Sequence, residues 1–376
     1  MALLTYLTTT HFDFGAVQIL PKVMSRAGVK RPLITTDKGV VAAGILETVR
    51  EILGDAAPAA VYDETPGNPT EEATVAALEM YRAADCDGVL GLGGGSAMDL
   101  GKGVALLAGS GGELATYDPL TGGNRHVKNV APVVAVPTTS GTGSEVSIGF
   151  VIVLKDGRKI AFGGPRFVPV AAICDPELTL GLPPAITAGT GMDAITHCIE
   201  CYLSPSVNPL ADGVALDGLW RGWHHLERVV ADGSDRDARW EMMMASTEGA
   251  LAFPKGLGAV HAMSHALGRL SKPRLHHGTL NAVLLPTVLR FNEGSAPAEK
   301  FNRLRIAMGL AEGADLAAEI ERMNRAIGIP VRLSEMGVKE DMIAACIDHA
   351  LADLAHRTNP RQATAEDYER LYQEVL

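Results

Sequence analysis

A glycine-rich turn between a strand pattern and a helix pattern constrains this fold more than any other feature of the sequence. The apolar run 88–92 leads directly into Gly93, Gly94 and Gly95, and helical periodicity follows. Bare backbone at the end of a strand, followed by the unpaired N–H groups of a helix start, is suited to binding a diphosphate. Ser96 occupies the third glycine position of the strict dinucleotide fingerprint, so an ordinary tight turn is the alternative interpretation.

Two acidic residues extend this prediction of a nucleotide site. We expect Ser96 and Asp99 to form a capping box that opens the helix, and we count both, with Gly94 and Gly95, as cofactor-binding residues. Asp37 ends an earlier strand pattern, where a carboxylate can bind an adenosine ribose and would repel a 2′-phosphate. The sequence therefore favours NAD over NADP. Asp37 can also cap the helix that follows it, and the two roles are compatible.

The order of the predicted elements indicates two domains. Strand and helix patterns alternate from about residue 31 to residue 174, including one helix expected from Lys38 to Leu53, whereas helical periodicity dominates after Leu182. We therefore predict an α/β nucleotide-binding domain over residues 1–181 and an all-helical metal-binding domain over residues 182–376. The adjacent prolines 183–184 suit the boundary.

Composition excludes several function classes. The 376 residues carry a formal net charge of −11 and the basic residues are scattered, so a nucleic-acid or anionic-membrane surface is not expected. No apolar run approaches the ~18 residues of a spanning helix, and no basic residue precedes Lys22, which argues against a signal peptide and for a cytoplasmic protein. The five cysteines do not suggest a disulfide framework. Cys198 and Cys201 lie in a helical pattern, which favours core packing over a metal or redox motif.

Histidines and one aspartate recur at helical spacing in the second half of the chain. Asp193 and His197 are four residues apart, so their side chains share a helix face. His261 and His265 repeat that spacing, and two further histidines follow at 276–277. These groups stand on Ala-rich helices and are hard to explain as a solvated face. One carboxylate with three imidazoles suits Fe²⁺ or Zn²⁺, whereas separate core roles are the alternative.

Five ordered motifs resemble the iron-containing (group III) alcohol dehydrogenases. They are GGGSAMDLGK at 93–102, PTTSGTGSE at 137–145, GMDAITH at 191–197, GLGAVHAMSH at 256–265 and HGTLN at 277–281. With the flanking segments, the resemblance covers essentially the whole chain. It implies a dehydroquinate synthase-like architecture and a metal-dependent, NAD-linked interconversion of a small primary alcohol and its aldehyde, carried out by a homodimer.

The resemblance also implies roles for individual residues. The implied metal ligands are Asp193, His197, His261 and His277. His265 matches the family's non-ligand histidine near the reacting carbon, and His276 matches no ligand position. On the nucleotide side, the matching residues are Asn68, Gly94, Gly95, Ser96, Thr138 and Thr139. Iron is the implied ion, with zinc, as in the glycerol dehydrogenase-like relatives, as the alternative.

The substrate is expected to carry a carboxylate. We expect Lys255 and Phe253, which precede the helix of His261, to contact the substrate. Many relatives have a neutral residue at the position of Lys255, and a cation there suits an acidic substrate. The alternative is that Lys255 is a surface lysine. Lys255 and the segments 275–286 and 359–361 together make this sequence similar to the 4-hydroxybutyrate dehydrogenase branch of the family. That branch interconverts 4-hydroxybutyrate and succinate semialdehyde. The alternative substrates are other ω-hydroxy acids, phosphonoacetaldehyde or a neutral aldehyde. The alternative class of enzyme is a metal-dependent phosphoester hydrolase or lyase.

Overall fold

The structure, a computed structural model, describes residues 8–54, 58–270 and 272–376. The described chain forms two compact units: the first contains the residues up to 139 together with 143–181, and the second contains 140–142 and 182–376. No helix in the described ranges combines the length and the apolar character needed to cross a membrane.

The first unit is built on a six-stranded sheet in which every pairing is parallel. Its strands run in the order β1-β8-β5-β4-β2-β3. They are β1 (Thr9–Phe12), β2 (Pro32–Thr35), β3 (Ala60–Tyr62), β4 (Gly88–Gly93), β5 (Val133–Pro137) and β8 (Ala171–Cys174). β6 (Gly149–Val153) and β7 (Lys159–Gly163) form a separate antiparallel hairpin. The alternation of strand and helix patterns predicted from about residue 31 onward did not include β1.

In the described part of this unit, the α-helices that accompany the sheet are α1 (Leu20–Arg26), α2 (Lys38–Ala42), α3 (Ile45–Leu53), α4 (Glu71–Ala83) and α5 (Gly95–Ser110). The prediction of one helix from Lys38 to Leu53 is wrong. Gly44 adopts φ 77° between α2 and α3, a left-handed conformation that glycine tolerates and that ends the first helix. Apolar periodicity continued across the break, so the sequence pattern did not reveal it.

The order of the strands creates a crevice for a ligand in the first unit. β2 and β4 are neighbours, but the chain leaves β2 for β3 on one side and leaves β4 for β5 on the other. In open parallel sheets, ligands bind outside the carboxyl ends of the strands at such a switch point. Asp37 follows β2 and Gly94 follows β4, so both residues stand at that edge.

The second unit is helical, with α6 buried along most of its length. Its helices are α6 (Pro184–Leu203), α7 (Pro209–Ala231), α8 (Arg236–Leu251), α9 (Ala259–Leu267), α10 (His277–Asn292), α11 (Ala298–Ala307), α12 (Leu316–Ala326), α13 (Glu340–Ala352) and α14 (Ala365–Val375). α6 packs against α7, α8 and α10, and α9 packs against α10 and α13. A helix surrounded in this way is a rigid support for the polar side chains that it carries.

A proline inside α10 is compensated from a neighbouring helix. Pro286 has no N–H, so the carbonyl of Ala282, four residues earlier, lacks its helical donor. The Asn324 side chain of α12 donates to that carbonyl at 2.7 Å. This bond satisfies a buried acceptor and joins the two helices.

All five cysteines are buried and none is in a disulfide. Burial raises the thiol pKa of Cys86 and Cys198, and that of Cys346 to about 11. Cys198 and Cys201 of α6 belong to the helical core, as the sequence predicted.

A buried acid in the second unit makes stability depend on pH. Burial, and then the neighbouring Asp217, raise the pKa of Glu248 from 4.5 to about 8, although Arg221 lies 3.3 Å away. The folded chain therefore holds a proton that the unfolded chain releases above its ordinary pKa, so stability falls as pH rises between the two values. We expect Glu248→Gln to be more stable than the parent at about pH 8, by roughly 2–4 kcal/mol, and closer to it at about pH 5. Denaturant unfolding across that pH range measures the difference.

An exposed glutamate supplies the control for this prediction. Glu47→Gln on α3 should leave the pH dependence of unfolding unchanged. Parallel stability curves for Glu248→Gln and the parent protein would show that Glu248 ionises normally in the fold.

Candidate functional site

The centre of α6 carries the first two members of a polar cluster. Asp193 and His197 stand one turn apart, and His197 Nε2 lies 3.5 Å from Asp193 Oδ1. Both side chains are almost fully buried within a small-residue stretch of the helix. Buried polar groups of this kind need partners, because an unpaired charge in the protein interior is costly.

Two neighbouring helices bring further imidazoles to the same carboxylate oxygen. His261 of α9 and His277, the first residue of α10, each place Nε2 3.7 Å from Asp193 Oδ1. One ligand atom each from Asp193, His197 and His261 lies within 4.8 Å of the others. Three nitrogen donors and one oxygen donor therefore converge from three helices.

A close backbone contact allows this convergence. A side chain at Gly278 would overlap the Gly189 carbonyl, with its Cβ 2.8 Å from the carbonyl carbon and 3.1 Å from Asp193 Cβ. A Cβ at Gly189 would in turn lie 2.7 Å from the His276 ring. The start of α10 reaches α6 because both positions lack side chains.

Two of the histidines are oriented by contacts at Nδ1, whereas the Asn281 amide nitrogen lies on the inner side of the cluster, 3.1 Å from His261 Nε2 and 3.2 Å from His277 Nε2. His197 Nδ1 lies 3.2 Å from the Gly141 carbonyl, and His277 Nδ1 lies 3.4 Å from Ser264 Oγ. The Asn281 amide donates to Asp193 Oδ1 at 2.7 Å, while its Oδ1 has no hydrogen-bond partner among the described residues.

Sequence reasoning missed Asn281 as a site residue, and it also missed Glu200, whose carboxylate lies 2.6 Å from His261 Nδ1. Helical spacing was the available signal. Asn281 follows His277 by four residues, and Glu200 follows Asp193 by seven, so each shares a face with a predicted ligand.

The electrostatics of the cluster favour an ionised carboxylate among imidazoles. Burial alone would raise the pKa of Asp193, but the surrounding histidines hold it well below its usual value. Burial lowers the pKa of His197 to about 4. Burial also lowers the pKa of His261, but the carboxylates of Asp193 and Glu200 outweigh burial and raise this pKa to about 9. One carboxylate oxygen and three imidazole nitrogens in a buried site fit a divalent transition-metal ion such as Fe²⁺ or Zn²⁺.

His265 lies beside this cluster, and its hydrogen bond is to Asp353, which is not part of the cluster. Its Nδ1 lies 2.9 Å from Asp353 Oδ2, and its ring stacks on His277 at 5.3 Å. Asp353 follows α13 and was also missed by sequence reasoning. The second nitrogen of His265 takes no part in this bond. Phe253 contacts His197 edge-on at 4.8 Å, which places an apolar wall at the cluster.

The contacts of Lys255 contradict its predicted role as the cation that binds the substrate carboxylate. Its side chain is fully buried, and its ammonium pairs with Asp212 of α7 and donates to the Tyr202 carbonyl at 3.2 Å. Those bonds neutralise the cation and cap the end of α6. The prediction that Lys255 binds a substrate carboxylate is therefore wrong. His276 likewise serves the fold, because it caps α10 by accepting the Thr279 N–H.

The glycine turn of the first unit opens α5 with backbone alone. Gly94 is the N-cap and Gly95 the first helical residue, and no side chain caps the helix. Thr138 donates its N–H to the Gly93 carbonyl at 3.0 Å, and Thr139 lies beside Gly94. The Ala97 N–H turns back to the Gly94 carbonyl at 3.1 Å. The N–H groups of Gly95 and Ser96 precede it at the carboxyl edge of the sheet, where an anion can bind.

The side chains around this turn differ from the predicted capping box. Ser96 donates to the Gly67 carbonyl at 2.7 Å. The two oxygens of Asp99 accept bonds from Ser144 Oγ at 2.6 Å and Val151 N–H at 2.9 Å. Asp99 thus anchors the loop before the hairpin, and the predicted capping box of Ser96 and Asp99 is wrong. A glycine at the N-cap leaves the helix start open.

Two other predicted nucleotide residues have partners within the first unit. Asp37 caps α2 by accepting the N–H groups of Gly39 and Val40 through Oδ1. Its Oδ2 takes no part in those bonds and points towards Gly93, where an added Cβ would lie 3.4 Å from it. Asn68 Oδ1 accepts from Lys159 at 3.0 Å.

Comparisons with known proteins cover both units. Residues 8–176 match the family model for iron-containing alcohol dehydrogenase, and residues 187–376 match that for the C-terminal part of the Fe-containing alcohol dehydrogenase family. A 4-hydroxybutyrate dehydrogenase from Cupriavidus necator is 53% identical over 100% of both chains. A crystal structure of 1,3-propanediol oxidoreductase superposes with a TM-score of 0.92 at 34% identity, covering 100% of both chains. Sulfoacetaldehyde reductase from Bifidobacterium kashiwanohense in complex with NAD+ has a TM-score of 0.88 at 27% identity, covering 100% of this chain and 99% of that one.

Proposed function

This chain belongs to the iron-containing alcohol dehydrogenase family, and we propose that it interconverts 4-hydroxybutyrate and succinate semialdehyde with NAD and a divalent iron. Membership makes it an oxidoreductase that interconverts an alcohol and its aldehyde. The single observation that carries the proposed substrate is the 53% identity to the dehydrogenase of Cupriavidus necator over the full length of both chains.

The proposed metal ligands are Asp193, His197, His261 and His277. The assignment is supported by three imidazole Nε2 atoms of the helical unit, each of which lies within 3.7 Å of Oδ1 of the ionised Asp193 carboxylate. A divalent ion held by these residues would polarise the alcohol oxygen and lower its pKa, and bound NAD would serve as the hydride acceptor. The balanced reaction also releases one proton.

His265 is the proposed route for that proton. Its Nδ1 is held by Asp353, so its other nitrogen is available to take up the proton and pass it outward. The imidazole is 12% exposed, which connects it with solvent. Phe253 is the proposed apolar wall of the substrate site.

NAD is proposed to bind at the sheet edge of the first unit. The open turn at Gly94, Gly95 and the Ser96 backbone suits the diphosphate, with Asn68, Thr138 and Thr139 beside it. Asp37 Oδ2 is directed to this turn, where a ribose hydroxyl would bind it and a 2′-phosphate would be repelled. This favours NAD over NADP.

Lys255 is already paired with Asp212, so another group is proposed to bind the substrate carboxylate. The segment between His265 and His277 carries three cations, Arg269, Lys272 and Arg274, and we place the carboxylate-binding group among them. A homodimer and a cytoplasmic location are further proposals, which rest on the family resemblance and on the sequence.

A substrate panel tests the proposed function. Metal-loaded enzyme with NAD should reduce the cofactor with 4-hydroxybutyrate at a kcat/KM at least about 10-fold above that with 1,4-butanediol, which replaces the carboxylate by a neutral alcohol. The absorbance of reduced nicotinamide measures the rate. Equal or faster turnover of the diol would refute the acidic substrate and leave the family activity in place. Release of phosphate from esters without cofactor reduction would refute the dehydrogenase.

A further inference from the structure

Glu200 is a buried acid that reaches the metal cluster from behind. It lies on α6 two turns after Asp193, and its side chain is 4% exposed. Glu200 Oε2 lies 2.6 Å from His261 Nδ1, and Oε1 accepts the Val260 N–H at 2.7 Å. One carboxylate therefore caps the start of α9 and contacts the histidine one residue further along that helix.

The three histidines of the cluster have chemically different partners at Nδ1. His197 lies against a backbone carbonyl at 3.2 Å and His277 against a hydroxyl at 3.4 Å, whereas His261 meets a carboxylate at 2.6 Å. A hydrogen bond to an ionised acceptor is shorter and about twice as strong as a neutral one. The orientation of His261 is thus the most firmly held of the three by these bonds.

We propose that Glu200 is a positioning residue that holds a proton of His261 on Nδ1 and so makes Nε2 the nitrogen that binds the metal ion. The carboxylate accepts the Nδ1 proton, and Nε2 lies on the side of Asp193, where the ion would displace any proton that it carries. Glu200 also supplies a second negative charge. Together with Asp193, it balances the two positive charges of a divalent ion in a site from which water is largely excluded.

Glutamine at position 200 separates this role from helix capping. Its single carbonyl oxygen can still accept the Val260 N–H, but the amide NH₂ then faces His261 Nδ1. That donor stabilises the tautomer with its proton on Nε2, where the ion would bind. If the amide rotates, its NH₂ opposes the Val260 N–H instead. Either orientation weakens metal binding, and the first leaves the cap intact.

The experiment compares the affinity of the full chain for Zn²⁺ by competition with a chelator, after removal of bound metal. Glu200→Gln should raise the dissociation constant about 10- to 100-fold, as for other carboxylate partners of ligating histidines. Ser264→Ala is the matched control, since it removes the neutral partner of His277 and should cost less than Glu200→Gln. The ligand-field spectrum of the Co²⁺-loaded protein should shift in Glu200→Gln, which a cap alone would not cause.

The stability of the metal-free protein completes the test. If Glu200→Gln unfolds, Glu200→Asp replaces it, because aspartate keeps the charge and withdraws it from His261 by one methylene. This inference rests on the metal site of the proposed function. Parent protein that binds no Zn²⁺ would refute that function, whereas a parent that binds and a Glu200→Gln variant within about twofold of it, with an unchanged Co²⁺ spectrum, would overturn this inference alone.

Discussion

Asp193→Asn is expected to abolish metal retention and to lower kcat by at least about 1000-fold. Asparagine is almost isosteric with aspartate, so the helix should fold, but it removes the negative charge on which three imidazoles converge within 3.7 Å. Without that charge, a dication in the buried cluster loses its strongest electrostatic partner. Metal analysis after gel filtration and the rate of NADH formation measure the two effects.

His265→Ala provides the comparison for this result. His265 is bonded to Asp353 and stacked on His277, so its removal should weaken turnover while the metal is retained. Loss of the ion in His265→Ala would make that residue a ligand. A fully metallated, active Asp193→Asn enzyme would show that the ion binds elsewhere.

Gly278→Ala is expected to destabilise the helical unit and to disturb the metal cluster. The new Cβ would overlap the Gly189 carbonyl and press on Asp193 Cβ, and backbone cannot move aside as a flexible side chain can. Separation of α10 from α6 should destabilise the protein by about 2–4 kcal/mol and draw His277 away from Asp193. Denaturant unfolding and bound-metal analysis measure both consequences.

Gly213→Ala is the matched control for the same addition. Gly213 lies in α7, and a Cβ added there would have no neighbouring atom within 4 Å among the described residues. Alanine there should stabilise the protein slightly, because it restricts the unfolded chain and favours the helix. If Gly278→Ala instead matches the parent in stability and metal content, the close contact of α6 and α10 is not what positions the ligands.

Much of the site followed from local spacing. Asp193 and His197 share a helix face whenever the segment is helical, and the glycine turn after β4 lies at the sheet edge because parallel strands end together. The motifs then supplied what spacing could not, namely that α9 and the start of α10 reach the same carboxylate. The motifs also chose His277 over His276, and the structure gives the reason: His277 begins α10, and His276 is its cap.

The failed predictions for Lys255 and Asp99 concern partners that are distant in sequence. Lys255 is neutralised by Asp212, and Asp99 is bonded to Ser144 and Val151. No periodicity relates those residues, so a charged side chain that looked available was already paired. Glu200 was missed although its seven-residue spacing from Asp193 is visible in the sequence. Its role depends on its contacts with Val260 and His261, which only the packing of α9 against α6 reveals.

The buried thiols of this protein have a practical consequence. Thiolates attack alkylating reagents, and burial shields all five native cysteines from such reagents while it raises the thiol pKa of Cys198 and Cys346. Modification therefore requires the chain to open. Because Cys86 and Cys174 lie in one unit and Cys198, Cys201 and Cys346 in the other, peptide-resolved labelling rates would report the opening of each half separately within a single sample.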